Sequence, residues 1–178
     1  MRYTALLFIL SLFSFASEYK NIILYYQFEN YSKACQTGIK NLDTKNEALL
    51  SMIADACAKD NKIDELSKII SYLKSTKEYR QNRSYFTTLL LQKSLILQFI
   101  KDDIDLSYLK FPKTTHLISK IFSKIAQKKF SILIKKPKTI KIDMDDKSYL
   151  ITVSRNAKDT LVIKEYLGDT LLKTNRIN

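Results

Sequence analysis

The stretch NEALLSMIADACAKDNKIDELSKIISYLKS (residues 46–75) decides how the first half of the chain folds. Apolar residues recur at the spacing of one helix face across 49–57, and a second apolar stripe covers 63–73. Only the polar residues 60–62 separate the two stripes. Because a connection this short makes neighbouring helices antiparallel, the stretch predicts a helical hairpin.

Working outward, the same pattern continues on both sides of this hairpin. Residues 17–28 and 31–42 read as two further short helices with a break at Glu29-Asn30, and Asp43 or Thr44 is a candidate cap for the helix that follows. The polar residues 75–84 predict a longer loop. An apolar helix then covers 85–100, and polar residues at 92–94 argue against a membrane span.

The periodicity changes after residue 130. Four short, β-branched segments are separated by polar turns, and Gly168-Asp169 is a two-residue hairpin signal. These segments are TIKIDM (139–144), SYLITVS (148–154), TLVIKEYL (160–167) and TLLKTNRI (170–177), with FSILIK (130–135) as a candidate extra strand. The fold class is therefore α+β: a helical hairpin array over 17–130, then a small antiparallel β-meander over 131–178. We expect the sheet to pack on the last helix, because three strands alone are marginally stable.

The first sixteen residues have the order of a secretory signal peptide. Arg2 precedes the apolar run 5–16, and small residues Ser14 and Ala16 stand before a plausible cleavage point. The run is shorter than the roughly 20 residues that span a bilayer. We therefore expect cleavage after Ala16 and a periplasmic location. A buried N-terminal helix or an uncleaved anchor is the alternative.

Charge is unevenly distributed along the chain. The protein has 30 Lys and Arg against 18 Asp and Glu, a net charge of +12. Residues 17–109 are almost neutral, with 13 basic and 12 acidic residues, whereas residues 110–178 have 16 basic and only 6 acidic residues. In a secreted protein this favours acidic proteins, anionic lipid or wall polymer over nucleic acid as the partner.

Paired short helices suggest a repeat, and an offset of 32 residues aligns Ala34 with Leu66. Over residues 18–100 the chain resembles tetratricopeptide-like repeats. ENYSKA (29–34) matches the family's turn into its second helix. The packing positions of the next unit would be Leu50, Ile53, Ala54, Cys57, Leu66 and Ile70. The family's closing proline is absent, and Gly38 and Asn41 replace apolar residues. The resemblance implies a scaffold or adaptor that binds proteins.

The chain as a whole also resembles the accessory proteins of the periplasmic part of epsilonproteobacterial flagellar motors. The shared features are a signal peptide, a helical array rich in Lys, Ile and Asn, and a small basic sheet. This resemblance implies a place in a cell-envelope assembly and names no particular binding partner or oligomeric state.

The two cysteines, Cys35 and Cys57, are too far apart in sequence for a C-x-x-C redox motif. A zinc site needs about four ligands, and the chain offers these two and one histidine. In an oxidising compartment a disulfide is favoured. A turn centred on residues 43–44 would put Cys35 opposite residue 52, so the Cα separation from Cys57 is at the limit for a bridge. The sequence therefore leaves two alternatives for Cys35 and Cys57: they form a disulfide, or they are two buried free thiols.

Motifs for catalysis are missing from the sequence. His116 has no nucleophile–base pattern around it and reads as a residue at a helix N-terminus. The acidic run 143–146 lacks the glycine and distal Glu of a Ca²⁺ loop and reads as a hairpin turn. The two glycines form no phosphate loop. We therefore expect a non-enzymatic protein without a cofactor or a metal.

The strongest remaining signal is a set of lysines close in sequence. Lys120 and Lys124 have the spacing of one face of an amphipathic helix, so they could contact an anionic partner or surface. The complete candidate patch is Lys120, Lys124, Lys128, Lys129, Lys135, Lys136 and Lys138. The function expected is a periplasmic scaffold that binds proteins. The alternative is an envelope-binding module that holds peptidoglycan or anionic lipid, and the plainest interpretation is that these lysines are only solvated.

Overall fold

The structure is a computed structural model that describes residues 19–154 and 159–178. The predicted signal peptide lies outside the described residues. Helical segments precede the strands along the chain. The helices are α1 (19–27), α2 (Tyr31–Lys40), α3 (Glu47–Lys59), α4 (Lys77–Asp102) and α5 (Leu117–Ala126), with short 3₁₀ helices at Ile63–Lys68 and Ile70–Tyr72. The strands are β1 (Ser131–Lys135), β2 (Lys138–Met144), β3 (Lys147–Ser154), β4 (Thr160–Leu167) and β5 (Thr170–Ile177). The predicted α+β class, helices first and an antiparallel meander last, is confirmed.

The chain divides into two compact units, and the division falls between Arg83 and Ser84. This point lies inside α4. The expected boundary at residue 130 is instead the place where helices give way to strands, since β1 begins at Ser131.

The first unit is built on the hairpin of α2 and α3. Asn30 and Asn46 cap these helices. Each side-chain oxygen accepts a hydrogen bond from the backbone N–H three residues further along the chain, at 3.3 Å for Asn30 and 3.0 Å for Asn46. Asn46, rather than Asp43 or Thr44, is therefore the cap of α3. The buried stripe of α3 consists of Leu49, Leu50, Ile53, Ala54, Ala56, Cys57 and Ala58.

Two predictions in this region were wrong. The residues after Asp60 form two 3₁₀ helices rather than one α-helix. The polar residues expected as a loop form the first turns of α4, where the Thr76 hydroxyl accepts a hydrogen bond from the Tyr79 N–H at 3.3 Å. Lys, Glu, Arg and Gln are good helix formers, so a polar run can be helical when it stays exposed.

The second unit contains a five-stranded sheet in the order β1-β2-β3-β4-β5, with every neighbouring pair antiparallel. The candidate extra strand is therefore real. Buried residues line one face: Ile140 pairs with Ile151, Ile151 pairs with Ile163, and Ile163 pairs with Asn175. The two-residue turn at Gly168-Asp169 has Gly168 at φ +57°, which glycine adopts without strain.

Helix α5 has the strongest amphipathic pattern of the second unit. Ile118, Ile121, Phe122 and Ile125 are buried, and the ring of Phe122 meets that of Phe111 edge-on at 5.2 Å. His116 caps the helix, since its Nδ1 accepts a hydrogen bond from the Ile118 N–H at 3.2 Å. The lone histidine therefore takes the helix-terminal place that the sequence indicates.

Candidate functional site

The two cysteines form a disulfide in the hairpin of the first unit. Cys35 Sγ and Cys57 Sγ are bonded, and their Cα atoms are 4.8 Å apart. The sequence placed Cys35 opposite residue 52 because it assumed a symmetrical turn at residues 43–44. The connection between α2 and α3 has six residues and is too long to act as such a turn, so residues equidistant from its midpoint need not face each other. The bridge is buried and structural, and the described residues hold no free thiol.

A polar cluster lies beside this hairpin on the surface of the first unit. The Tyr26 hydroxyl donates to the Asp55 carboxylate, and Lys59 pairs with that carboxylate at 2.9 Å. The Lys59 ammonium also lies 4.6 Å from the ring centre of Tyr31. Hydrogen bonding to Asp55 raises the pKa of Lys59, and burial raises the pKa of Tyr26, so both groups keep their protons at neutral pH. The cluster fastens α1 and α2 to α3.

The predicted lysine patch is not one surface. Lys138 is buried: its Nζ donates to the Phe99 carbonyl at 3.1 Å and to Asp103 at 2.6 Å, and it lies 3.7 Å from the Phe99 ring centre. A lysine held in this way is part of the core, because its stem is covered and its charge is paired. Lys138 therefore does not belong to an exposed patch, contrary to the prediction.

Five of the other six predicted lysines fall into two groups. Lys120 and Lys124 line a cavity of about 440 Å³ beside α5. Lys129, Lys135 and Lys136 are exposed around strand β1. The remaining member, Lys128, is exposed and lies 3.5 Å from the Asp105 carboxylate.

Two adjoining cavities lie along α5, within the second unit. The larger one is also lined by Met144, Asp145 and Tyr149, from the hairpin of β2 and β3. The smaller one, of about 350 Å³, extends toward α4 and the segment 107–113. Both cavities are lined by Lys113, Ser119, Ser123 and Gln127.

Two hydrogen bonds hold the shared wall of these cavities. Ser119 is buried, and its Oγ accepts from the Thr114 N–H at 3.0 Å, which ties the segment before α5 to the helix. The Gln127 amide donates to Ser123 Oγ at 2.9 Å, one turn apart on the helix. The wall is therefore preformed.

Gln92 is a feature of the smaller cavity that the sequence reasoning did not assign to a site. It is 1% exposed on the buried face of α4, and its Oε1 has no hydrogen-bond partner within residues 19–154 and 159–178. The sequence does show Gln92 within a largely apolar run, but there it was interpreted only as evidence against a membrane span. Lys110 and Lys113 were also missed, because neither belongs to a periodic pattern.

Strand β1 is the second candidate surface. All five of its residues are exposed, with Ile132, Leu133 and Ile134 at 50, 52 and 52%. It pairs with β2 on one side, and no described strand pairs with its other side. Its pairing shifts register between Ile132 and Ile134, so Leu133 lies at a β-bulge.

Neither a cluster of metal-binding side chains nor a membrane-spanning helix is found in the part of the chain that the structure covers. No three His, Cys, Asp or Glu side chains come close enough there to hold a metal ion. None of the described helices has both the length and the apolar character needed to cross a bilayer.

The fold and surfaces define a class only: an α+β protein with a disulfide-linked helical hairpin and a five-stranded antiparallel meander. No family model, no curated protein and no solved structure matches the chain.

Proposed function

We propose that the protein is a non-enzymatic adaptor that binds another protein in a cell-envelope assembly. The observation that carries this proposal is the open edge of strand β1. An edge strand presents unpaired backbone N–H and C=O groups, to which an extended segment of another chain can add.

Strand β1 has unusually little protection for an edge. Native edges are commonly covered, charged or interrupted by proline, whereas this strand carries three consecutive half-exposed apolar residues. The devices within the strand are its β-bulge and the charge of its last residue, Lys135. Apolar side chains on both faces of an edge strand would give an added strand pockets for alternate side chains.

The charges around β1 specify the occupant. Lys129 lies just before the strand, Lys135 is its last residue and Lys136 follows it, and all three are exposed. A second copy of the same strand would bring these lysines together, which is unfavourable. We therefore assign the edge to an extended acidic segment of a different protein.

The location and the repeat resemblance belong to the same proposal. A disulfide persists in oxidising compartments, which supports a periplasmic protein. The tetratricopeptide-like interpretation of the first unit stays a prediction: Ala34 and Leu66, which stand 32 residues apart, are both fully buried, but Leu66 lies in a 3₁₀ helix rather than an α-helix. The flagellar motor, as the assembly concerned, has only the sequence resemblance in its favour.

The test is site-specific photo-crosslinking in intact cells. A photoreactive residue is placed at Leu133, and a matched one at Leu172 on the opposite edge strand, where exposure is 47% against 52%. We expect an adduct from position 133 to an acidic segment of one protein. A synthetic peptide of that segment should bind the purified protein, and binding should weaken in the Lys135→Glu/Lys136→Glu variant.

Two outcomes would overturn the proposal. One is an identical adduct pattern from positions 133 and 172. The other is envelope retention that needs no β1 residue, is lost at high salt, and requires Lys120, Lys124 and Lys128. That result would establish the alternative, a module held on an anionic polymer or lipid by charge.

A further inference from the structure

The smaller cavity beside α5 is a candidate binding site separate from the β1 edge. Its volume of about 350 Å³ lies in the range of small-molecule sites. Its walls are of two kinds: Phe111 and Phe122 are apolar, whereas Ser123 and Gln127 are polar.

The buried amide of Gln92 points to a ligand. A buried polar atom without a partner costs free energy, so each one in a native protein calls for an explanation. Gln92 lines the cavity, is 1% exposed, and its Oε1 has no hydrogen-bond partner among the described residues. An apolar residue would suit this position on the buried face of α4 better. Because Oε1 itself is buried, a ligand would reach it after a rotation of the Gln92 side chain, and the amide is explained if a ligand in the cavity then donates to it.

Charge in the cavity narrows the chemical class. Lys110 and Lys113 line it, and its lining contains no Asp or Glu. The adjoining larger cavity has Lys120 and Lys124 but also Asp145, so an anionic group is better placed in the smaller one. The hydroxyl and amide groups of Ser123 and Gln127 suit a ligand with several hydroxyls.

We propose that this cavity binds a small anionic sugar, either phosphorylated or carboxylated. The anionic group would lie against Lys110 and Lys113, and a ligand hydroxyl would donate to Gln92. The ring would lie against the aromatic walls. Ser119 acts as a positioning residue, since its bond to the Thr114 N–H holds the segment that carries Lys113.

The experiment measures binding of four probes to the purified protein by calorimetry and by NMR shifts. The probes are glucose 6-phosphate, glucuronate, glucose and inorganic phosphate. Both anionic sugars should bind, and the first two probes distinguish a phosphate from a carboxylate source. Glucose lacks the charge and phosphate lacks the ring, so each should bind at least about tenfold more weakly.

Gln92→Leu separates a ligand-binding role from a structural one. Removing an unsatisfied buried amide should raise the melting temperature of the free protein by about 3 °C, while affinity for the anionic sugar should fall about fivefold. A structural amide would give the opposite, a lower melting temperature and unchanged affinity. Gln98→Leu, on the exposed face of the same helix, should change neither quantity.

Lys113→Gln keeps the proposal testable if Gln92→Leu does not fold. Lys113 is exposed, so this variant should keep its melting temperature and lose about tenfold in affinity. Lys164→Gln, an exposed lysine that lines neither of these cavities, is the control of matched charge. The proposal is overturned if neither anionic sugar saturates the protein, or if both variants bind as the unaltered protein does.

Discussion

Gly38 is a point of close approach between α2 and α3, and replacing it with alanine tests the packing of the first unit. A Cβ at Gly38 would lie 2.5, 2.7 and 2.8 Å from Cγ1, Cγ2 and Cδ1 of Ile53. Ile53 is fully buried and branched at Cβ, so rotation cannot clear all three atoms. Overpacking should cost about 2–3 kcal/mol, and alanine regains about 1 kcal/mol because it is a better helix former than glycine.

The net expectation for Gly38→Ala is a loss of about 1–2 kcal/mol in the free energy of unfolding, measured by urea denaturation. The assay is a double-mutant cycle with Ile53→Ala, which alone should cost about 3 kcal/mol. In that background the clash is gone, so Gly38→Ala should stabilise by about 1 kcal/mol. Comparing Gln36→Gly with Gln36→Ala calibrates helix propensity at an exposed site of α2. Equal destabilisation by Gly38→Ala in both backgrounds would refute the reasoning.

Three further predictions concern stability. Replacing both Cys35 and Cys57 with alanine should cost about 3 kcal/mol, as expected for a bridge spanning 22 residues; urea denaturation checks this, and an alkylation assay of the denatured, unreduced protein should find no free thiol. Lys138→Ala should cost about 2 kcal/mol because the Lys138 side chain is buried and its ammonium makes two charge-assisted hydrogen bonds, one of them to a buried carbonyl. Lys141→Ala, which breaks an exposed pair, should change stability by less than about 1 kcal/mol. Hydrogen bonding from Lys138 lowers the pKa of Asp103 below its ordinary 3.8. The Asp103 carboxylate should therefore stabilise the folded protein at pH values above 3.8, and this contribution should vanish as the pH falls through the lowered pKa. Asp103→Asn removes this contribution, so the variant should be less stable than the unaltered protein only at the higher pH values. Urea titrations between pH 7 and pH 2 measure this, and a gap that stays constant with pH would contradict it.

Periodicity predicted those parts of the fold where one face is consistently buried. The hairpin of α2 and α3 and the strands β2 to β4 have such faces, and Gly168-Asp169 marks the last turn. Periodicity predicted an α-helix over residues 63–73, and this prediction was wrong for a physical reason. Its buried residues Ile63, Leu66 and Ile69 are three apart, which suits a 3₁₀ helix better than an α-helix. The first turns of α4 carry no apolar stripe, so periodicity has nothing to detect there.

The candidate surfaces depended on tertiary structure that no local pattern records. Lys138 reads as one more surface lysine, yet it is buried beside Phe99 because its stem and charge both find partners there. Gln92 enters a cavity only because residues 84–102 of α4 belong to the same unit as α5. The exposure of β1 follows from its place at the edge of the sheet, which the meander order determines.

Amide hydrogen exchange across the sheet tests the central claim, that β1 accepts a strand from an acidic partner. Exchange is measured in the purified protein with and without the acidic segment that crosslinking identifies. Strand addition should slow exchange at amides within 131–135 and leave those of 170–172 unchanged, because only an added strand pairs with the outer side of β1. Protection confined to the helical unit, or equal at both sheet edges, would contradict the claim.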